Sequence, residues 1–285
     1  MIPFPFDYVR PASVAEAIAA LGEHGDEAKI LAGGHSLLPL MKLRLAAPGV
    51  IVDLGRVGEL RGVRDDGDML AIGAMTTHAA VVDDPLVRQH CGILSQTAAL
   101  VGDPQVRHRG TIGGSLAHGD AAGDLPAVAL AVGAELVAEG PAGRRTIPAS
   151  DFFIDYLSTA LGEDEVLVEV RMPKLGPGWG YHYEKFNRVA QAWAVVGACA
   201  LVRRENGGIA EARVGLTNMG TVPVRAGTTE QALAGASADS GAIAEAAAHA
   251  AEGTDPPTDL SAHADYRRHL AQVLTRRALE AAASR

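Results

Sequence analysis

Lys29-Ile30-Leu31-Ala32-Gly33-Gly34-His35-Ser36-Leu37, continuing to Leu45 and then to Val50-Ile51-Val52-Asp53-Leu54, is the stretch that decides the fold. Lys29 to Ala32 is short and apolar, as a buried strand is, and it runs directly into a glycine pair. Leu37 to Leu45 has helical spacing; Pro39 is tolerable there because it falls in the first turn, where its missing N–H has no helical partner to lose. Pro48-Gly49 stops the helix, and Val50 to Leu54 reads as the next strand. The unit is strand, glycine loop, helix, strand. Upstream, Ser13 is a plausible N-cap for an amphipathic helix from Val14 to Leu21 that ends near Gly22 and Gly25.

Further along, Met69 to Ala74 reads as a strand, and Thr77 to Val82 and Gly92 to Val101 as helices. A second glycine loop follows, Thr111-Ile112-Gly113-Gly114-Ser115, then a polar loop from His118 to Asp124 and a helix from Leu125. Glu135 to Ala138 and Arg144 to Ile147 flank Gly140-Pro141-Ala142-Gly143 as a hairpin, and Glu165 to Met172 is a strand closed by Pro173. Leu175-Gly176-Pro177-Gly178 marks a domain boundary, giving units 1–176 (itself about 1–55 and 56–176) and 177–285. Beyond it, Tyr181 to Arg188, Ala194 to Arg203 and Ile209 to Thr217 read as three strands, and the chain from Thr228 as Ala-rich helices. Strands followed by helices imply an α+β class.

Composition removes several functions. The chain has 285 residues, 48% hydrophobic and 21% charged, which is globular and large enough for two domains. Its formal charge of −9 and the lack of a Lys/Arg cluster argue against nucleic acid and against anionic membranes. Two cysteines, Cys91 and Cys199, cannot supply the four thiolates of an iron–sulfur cluster and are expected to be small core residues. The N-terminus lacks the pattern of a signal peptide. The longest apolar run, Leu125 to Ala138, falls short of the ~20 residues a membrane helix needs. A cytoplasmic protein without a transmembrane segment is expected.

With 33 glycines in the chain, about four adjacent pairs are expected by composition alone, so the pairs themselves carry no signal. Their placement does: two follow a short apolar strand or turn and end in a serine. Such loops aim backbone N–H groups into one concavity and let a phosphate approach without a Cβ in the way. Two of them could clasp a pyrophosphate from opposite sides; two tight turns at strand ends are the competing explanation. Neither G-x-G-x-x-G nor G-x-x-x-x-G-K-[ST] occurs, which disfavours the Rossmann and P-loop devices. A serine hydrolase is disfavoured too, because Gly113-Gly114-Ser115-Leu116-Ala117 misses the nucleophile elbow by one residue and Arg107-His108-Arg109 is a poor strand to precede it.

At these loops the sequence resembles a known family. Ala32-Gly33-Gly34-His35-Ser36-Leu37 and Thr111-Ile112-Gly113-Gly114-Ser115 are similar to the paired FAD-pyrophosphate motifs of the flavin subunits of molybdenum hydroxylases. The resemblance extends from Phe6-Asp7-Tyr8 and Arg10-Pro11 through Asp103-Pro104-Gln105-Val106-Arg107, Gly119-Asp120 and Asp124-Leu125-Pro126 to Tyr183-Glu184-Lys185 and Gly215-Leu216-Thr217-Asn218. His35 and the Asp-Pro-Gln segment favour the carbon monoxide dehydrogenase branch, the alternative being the flavin subunit of a hydroxylase of purine or N-heteroaromatic substrates. The family implies a two-part FAD-binding domain of the PCMH type, followed by a small domain with a three-stranded antiparallel sheet and helices. It implies that Ala32 to Leu37 and Thr111 to Ser115 hold the pyrophosphate, mainly through backbone N–H groups. Asp124 would bond the adenosine ribose, its alternative being an N-cap for the following helix. Leu167 would pack on the rings, or be plain strand core. Lys185 would lie near the flavin, where a cation favours the anionic reduced ring, or be an ordinary strand-surface lysine. Trp193 would lie beside the isoalloxazine, or be a core tryptophan. Many relatives have Asn in place of Ser115; the shorter side chain leaves the backbone donors in place.

The resemblance further implies a division of labour. A large partner subunit carries the molybdenum cofactor and the substrate site, a small partner carries two [2Fe–2S] clusters, and FAD on this chain passes electrons to an external acceptor, in a dimer of heterotrimers. No catalytic residue for substrate oxidation and no metal ligand is expected here. A self-contained flavin oxidoreductase would need acid–base groups at the flavin, for which His182 and Tyr183 are the nearest candidates. A cofactor-free scaffold is the alternative of a different class.

Overall fold

A computed structural model describes residues 2–285. The first unit is a small parallel sheet: β1 (Asp7–Val9), α1 (Val14–His24), β2 (Ala28–Leu31), α2 (Leu37–Lys42) and β3 (Val50–Asp53). β3 lies between β1 and β2 and pairs with both in parallel. Ser13 caps α1 by accepting from the Glu16 N–H, as its position before an apolar run implies. α2 is shorter than its spacing suggested, because Arg44 turns the chain with φ +60°.

The second unit starts with the hairpin β4 (Val63–Asp66) and β5 (Met69–Gly73). Six helices follow: α3 (His78–Asp83), α4 (Pro85–His90), α5 (Gly92–Ala98), α6 (Pro104–Arg109), α7 (Ile112–His118) and α8 (Asp124–Val132). β6 (Glu135–Gly140), β7 (Gly143–Pro148), α9 (Ala149–Phe152), β8 (Phe153–Asp155), β9 (Ser158–Thr159) and β10 (Val166–Pro173) complete it. The five-stranded sheet has the order β4-β5-β10-β6-β7. β10 is buried on both faces: Val166 and Val168 pack with the core of the first unit, Leu167, Val170 and Met172 with that of the second. That explains the continuous apolar run Val166-Leu167-Val168 with which it opens. The β10–β6 register slips between Leu167 and Glu169, a bulge of the kind that re-aims a side chain at the end of a ladder.

The third unit is an antiparallel meander, β11 (Trp179–Phe186), β12 (Val196–Glu205) and β13 (Gly208–Thr217), with a two-residue fourth strand, β14 (Val224–Arg225). The three long strands are those expected; β14 is too short to leave a periodic signal. α10 (Gly227–Leu233), α11 (Ser240–Ala247) and the 20-residue α12 (Ala264–Ala283) cover one face. The other face packs on the second unit: the Gly215 Cα approaches the Ala127 carbonyl of α8 so closely that no Cβ would fit.

One expectation is corrected. Thr111 to Ser115 is not a loop: Thr111 is the N-cap and Ile112 to Ser115 are the first residues of α7. Tertiary packing overrides the low helix propensity of Gly113-Gly114, because Gly113 sits where a Cβ would lie 2.7 Å from the Ala74 carbonyl oxygen. Arg107-His108-Arg109 ends α6, so no strand precedes Ser115 and the nucleophile elbow is absent. Cys91 and Cys199 are fully buried free thiols, and burial pushes the Cys91 thiol up to about 12.

Candidate cofactor site

A cleft of about 930 Å³ lies where the three units meet. Every site position inferred from the sequence lines it except Ile112, which is wholly buried in the core of the second unit. Its centre is a seam between the two glycine segments. A Cβ on Gly33 would lie 2.7 Å from the Gly110 Cα, so only glycine lets the first segment reach the turn that launches α7. Gly110 is fixed from behind, its carbonyl accepting from the His78 N–H at 2.9 Å.

The two segments differ in what they offer. The N–H groups of His35, Ser36 and Leu37 have no protein acceptor among the described residues, whereas Leu38 N–H donates to the Gly34 carbonyl. In the second segment the donors are already used. Ile112 N–H donates to the Thr76 carbonyl at 3.0 Å and Gly113 N–H to that of Ala74 at 2.8 Å. Gly114 N–H donates to Thr111 Oγ1 at 3.1 Å and Ser115 N–H to the Thr111 carbonyl at 3.0 Å. The first segment therefore supplies unsatisfied donors for anionic oxygens, and the second supplies a wall without side chains. Unpartnered N–H groups beside a wall that a Cβ would fill suit a phosphate-bearing ligand.

Asp124 and Lys185 form a buried ion pair at 2.7 Å, with side chains 5% and 6% exposed. Asp124 Oδ1 accepts from the Tyr183 hydroxyl at 2.9 Å, and Tyr183 also bonds Thr217 at 3.0 Å. Lys185 Nζ donates to the Leu100 carbonyl at 3.2 Å as well. Burial raises the Asp124 carboxyl above its ordinary range, against the pull of Lys185. Since both oxygens accept from donors, the geometry is that of a carboxylate. Asp124 is not the N-cap of α8; that position is Gly123, and Asp124 begins the helix proper. Lys185 is not a strand-surface lysine and Trp193, 54% exposed on the cleft, is not a core tryptophan. Leu167 is both buried and cleft-lining. His182 bonds Gln96 and Glu184 away from the cleft, and Tyr183 is buried behind Asp124, so neither acid–base candidate lines it.

Comparison with known proteins places the chain in a family. Residues 4–175 match the FAD binding domain in molybdopterin dehydrogenase, and residues 181–282 match the CO dehydrogenase flavoprotein C-terminal domain. The chain belongs to the FAD-binding medium subunits of molybdopterin dehydrogenases. It is 44% identical to the carbon monoxide dehydrogenase medium chain of Hydrogenophaga pseudoflava, over all of this chain and 99% of that one. It is 38% identical to the 6-hydroxypseudooxynicotine dehydrogenase complex subunit alpha of Paenarthrobacter nicotinovorans, over all of this chain and 97% of that one. Carbon monoxide dehydrogenase from Hydrogenophaga pseudoflava superposes with a TM-score of 0.97 at 45% identity, covering all of this chain and 99% of the neighbour. As a medium subunit the chain is part of an oxidoreductase with several subunits and carries an FAD-binding domain. No helix among the described residues is long and apolar enough to cross a membrane.

Several cleft residues had no sequence signal. His78 is 3% exposed and its Nδ1 has no partner; burial, then the charges of His35 and Arg107, lowers its pKa to about 4. A single histidine on an apolar helix reads as core from sequence alone. Gln191 reaches across the cleft mouth to Asp103 at 2.5 Å. Asp103 was visible as part of the Asp-Pro-Gln segment; its partner was not.

Proposed function

We propose that this chain binds FAD in the cleft and acts as the electron-transfer subunit of a molybdenum-containing dehydrogenase, carbon monoxide dehydrogenase being the foremost candidate. The observation that carries the proposal is the run of unpartnered N–H groups at His35, Ser36 and Leu37 in the first segment, in the same cleft as a wall kept bare by Gly113 and Gly114. Those donors would hold the pyrophosphate, with the Thr111 and Ser115 side chains on the opposite wall. Leu167 would pack on the rings and Trp193 would screen the ring from solvent. Lys185 would hold a positive charge near the flavin. FAD, when bound, supplies the electron-accepting ring; the protein positions and polarises it.

Electrons would arrive from two [2Fe–2S] clusters in a small partner, which takes them from a large molybdenum-binding partner, and would leave to an external acceptor. The assembly would be a cytoplasmic dimer of heterotrimers, and this chain would divide at 176/177. A second branch is favoured by the 38% identity to the 6-hydroxypseudooxynicotine enzyme: the same subunit could serve an N-heteroaromatic hydroxylase. The test is an absorption spectrum of the complex purified with its native partners, followed by acid release of the chromophore. About one FAD per copy is expected. A complete complex without flavin would refute the proposal and favour a scaffold.

A further inference from the structure

The family resemblance assigns Asp124 to the adenosine ribose and Lys185 to the flavin. On a dinucleotide bound in an extended form these would be opposite ends, yet the two side chains touch at 2.7 Å. Both cannot hold. Asp124 accepts from Tyr183, itself bonded to Thr217, on the third unit's sheet, which also carries Lys185, so the carboxylate belongs with the lysine. We infer that Asp124 is the counter-ion of Lys185 at the flavin end of the site, a positioning residue that cancels the lysine's charge and thereby holds down the reduction potential of bound FAD.

The inference rests on the proposed placement of Lys185 beside the flavin. Its physical basis is charge. Reduction places negative charge on the ring, and a nearby cation favours the reduced form. A carboxylate in contact with that cation leaves a dipole where an unpaired lysine would leave a full positive charge. Tyr183 is held to the same carboxylate with its hydroxyl protonated, because burial and the adjacent negative charge push its ionisation well above the ordinary range. The Leu100 carbonyl tethers Nζ on the other side. The pair thus has a fixed geometry and little access for screening ions.

The test is a redox titration of FAD in the native complex carrying Asp124→Asn, Lys185→Met or both. Asp124→Asn should raise the ratio of reduced to oxidised FAD affinity by about tenfold, the least that a neighbouring opposite charge shifts a titrating group, or about 30 mV for a two-electron couple. Lys185→Met, which leaves the carboxylate alone, should lower it by a similar factor. The double variant contains no unpaired buried charge and should return to within about threefold of the parent. If Asp124→Asn does not fold or does not retain FAD, the double variant is read against Lys185→Met, and a rise of about tenfold is expected there too. A potential that does not respond to Asp124 in either background, with FAD bound, overturns the inference. A parent complex without FAD would overturn the proposed function instead, so the two failures are distinguishable.

Discussion

Gly33-Gly34 and Gly113-Gly114 are the same dipeptide on facing walls of one cleft, and Gly34 is glycine for a reason the other three do not share. Gly34 has φ +79°, a backbone conformation that side chains rarely adopt, and the turn it makes leaves the next three N–H groups without acceptors. Gly113 and Gly114 lie in a helix with its donors occupied. There glycine serves contact: Gly113 against Ala74, and Gly114 against the Thr111 hydroxyl and Ala32. One segment presents hydrogen-bond donors and the other presents room. A paired motif need not mean paired chemistry, and substitutions can separate the two roles.

The largest effects are expected where a Cβ meets backbone. Gly33→Ala would press on Arg109 and Gly110, and Gly113→Ala on Ala74. Neither neighbour is a side chain that can rotate away. Each variant should lose about 3 kcal/mol or more in chemical denaturation, at the upper end of overpacking costs, and the complex should retain little FAD. If Gly113→Ala kept both stability and flavin, α7 would have to slide freely against Ala74, and the division into donor wall and packed wall would fail.

His78 lies behind the second wall, its N–H on the Gly110 carbonyl and its ring against Gly110. Its pKa is lowered from 6.5 to about 4. Between those values the unfolded chain binds the proton and the folded chain does not, so stability falls as the pH drops through that window and is unaffected by this group above it. That lowering amounts to about 3 kcal/mol by pH 4. His78→Leu, which also removes an unpartnered buried nitrogen, should leave stability at neutral pH intact and flatten the acid limb between pH 6.5 and 4. Urea midpoints for both proteins across that range provide the check; parallel slopes would show that His78 is not held neutral by the wall.

Much of this arrangement was legible. The strand–glycine–helix–strand unit from Lys29 to Leu54 could be read because each apolar run is bounded by Gly or Pro. The three long strands after Pro177 span eight to ten residues each, and β12 opens with an unbroken apolar run from Val196 to Val202. The second glycine segment was misread as a loop because glycine propensity is local, whereas the contact that makes it helical is with Ala74, far away in sequence. Lys185 and Asp124 are unremarkable individually in sequence; their burial follows only from docking the third unit on α8. The roles of His78 and Gln191 depend wholly on tertiary neighbours, Gly110 and Asp103, and no periodicity encodes them.

Gly34→Ala separates conformation from contact. The positive φ costs about 1–2 kcal/mol for a residue with a Cβ. The nearest neighbours are side-chain atoms of Leu38 and Leu31, which can turn aside. A loss in that range is expected, smaller than for Gly33→Ala one residue away. Equal losses at the two positions would mean that the seam tolerates movement and that turn conformation alone sets the requirement for glycine.

The smallest effect distinguishes the two serine- and threonine-bearing helix starts. Thr111 caps α7 by accepting from the Gly114 N–H, whereas Ser36, at the corresponding place before α2, makes no side-chain cap bond. In the flavin-free chain, Thr111→Ala should cost about 1 kcal/mol, as loss of a used cap does, and Ser36→Ala should stay within about 0.5 kcal/mol of the parent. With FAD present the order should invert for cofactor affinity, because Ser36 lies among the free donors while the Thr111 hydroxyl is partly committed to its own helix. If Thr111→Ala weakened FAD more than Ser36→Ala, the second wall would be contributing hydrogen bonds after all, and the contrast between the two glycine segments would reduce to the conformation of Gly34.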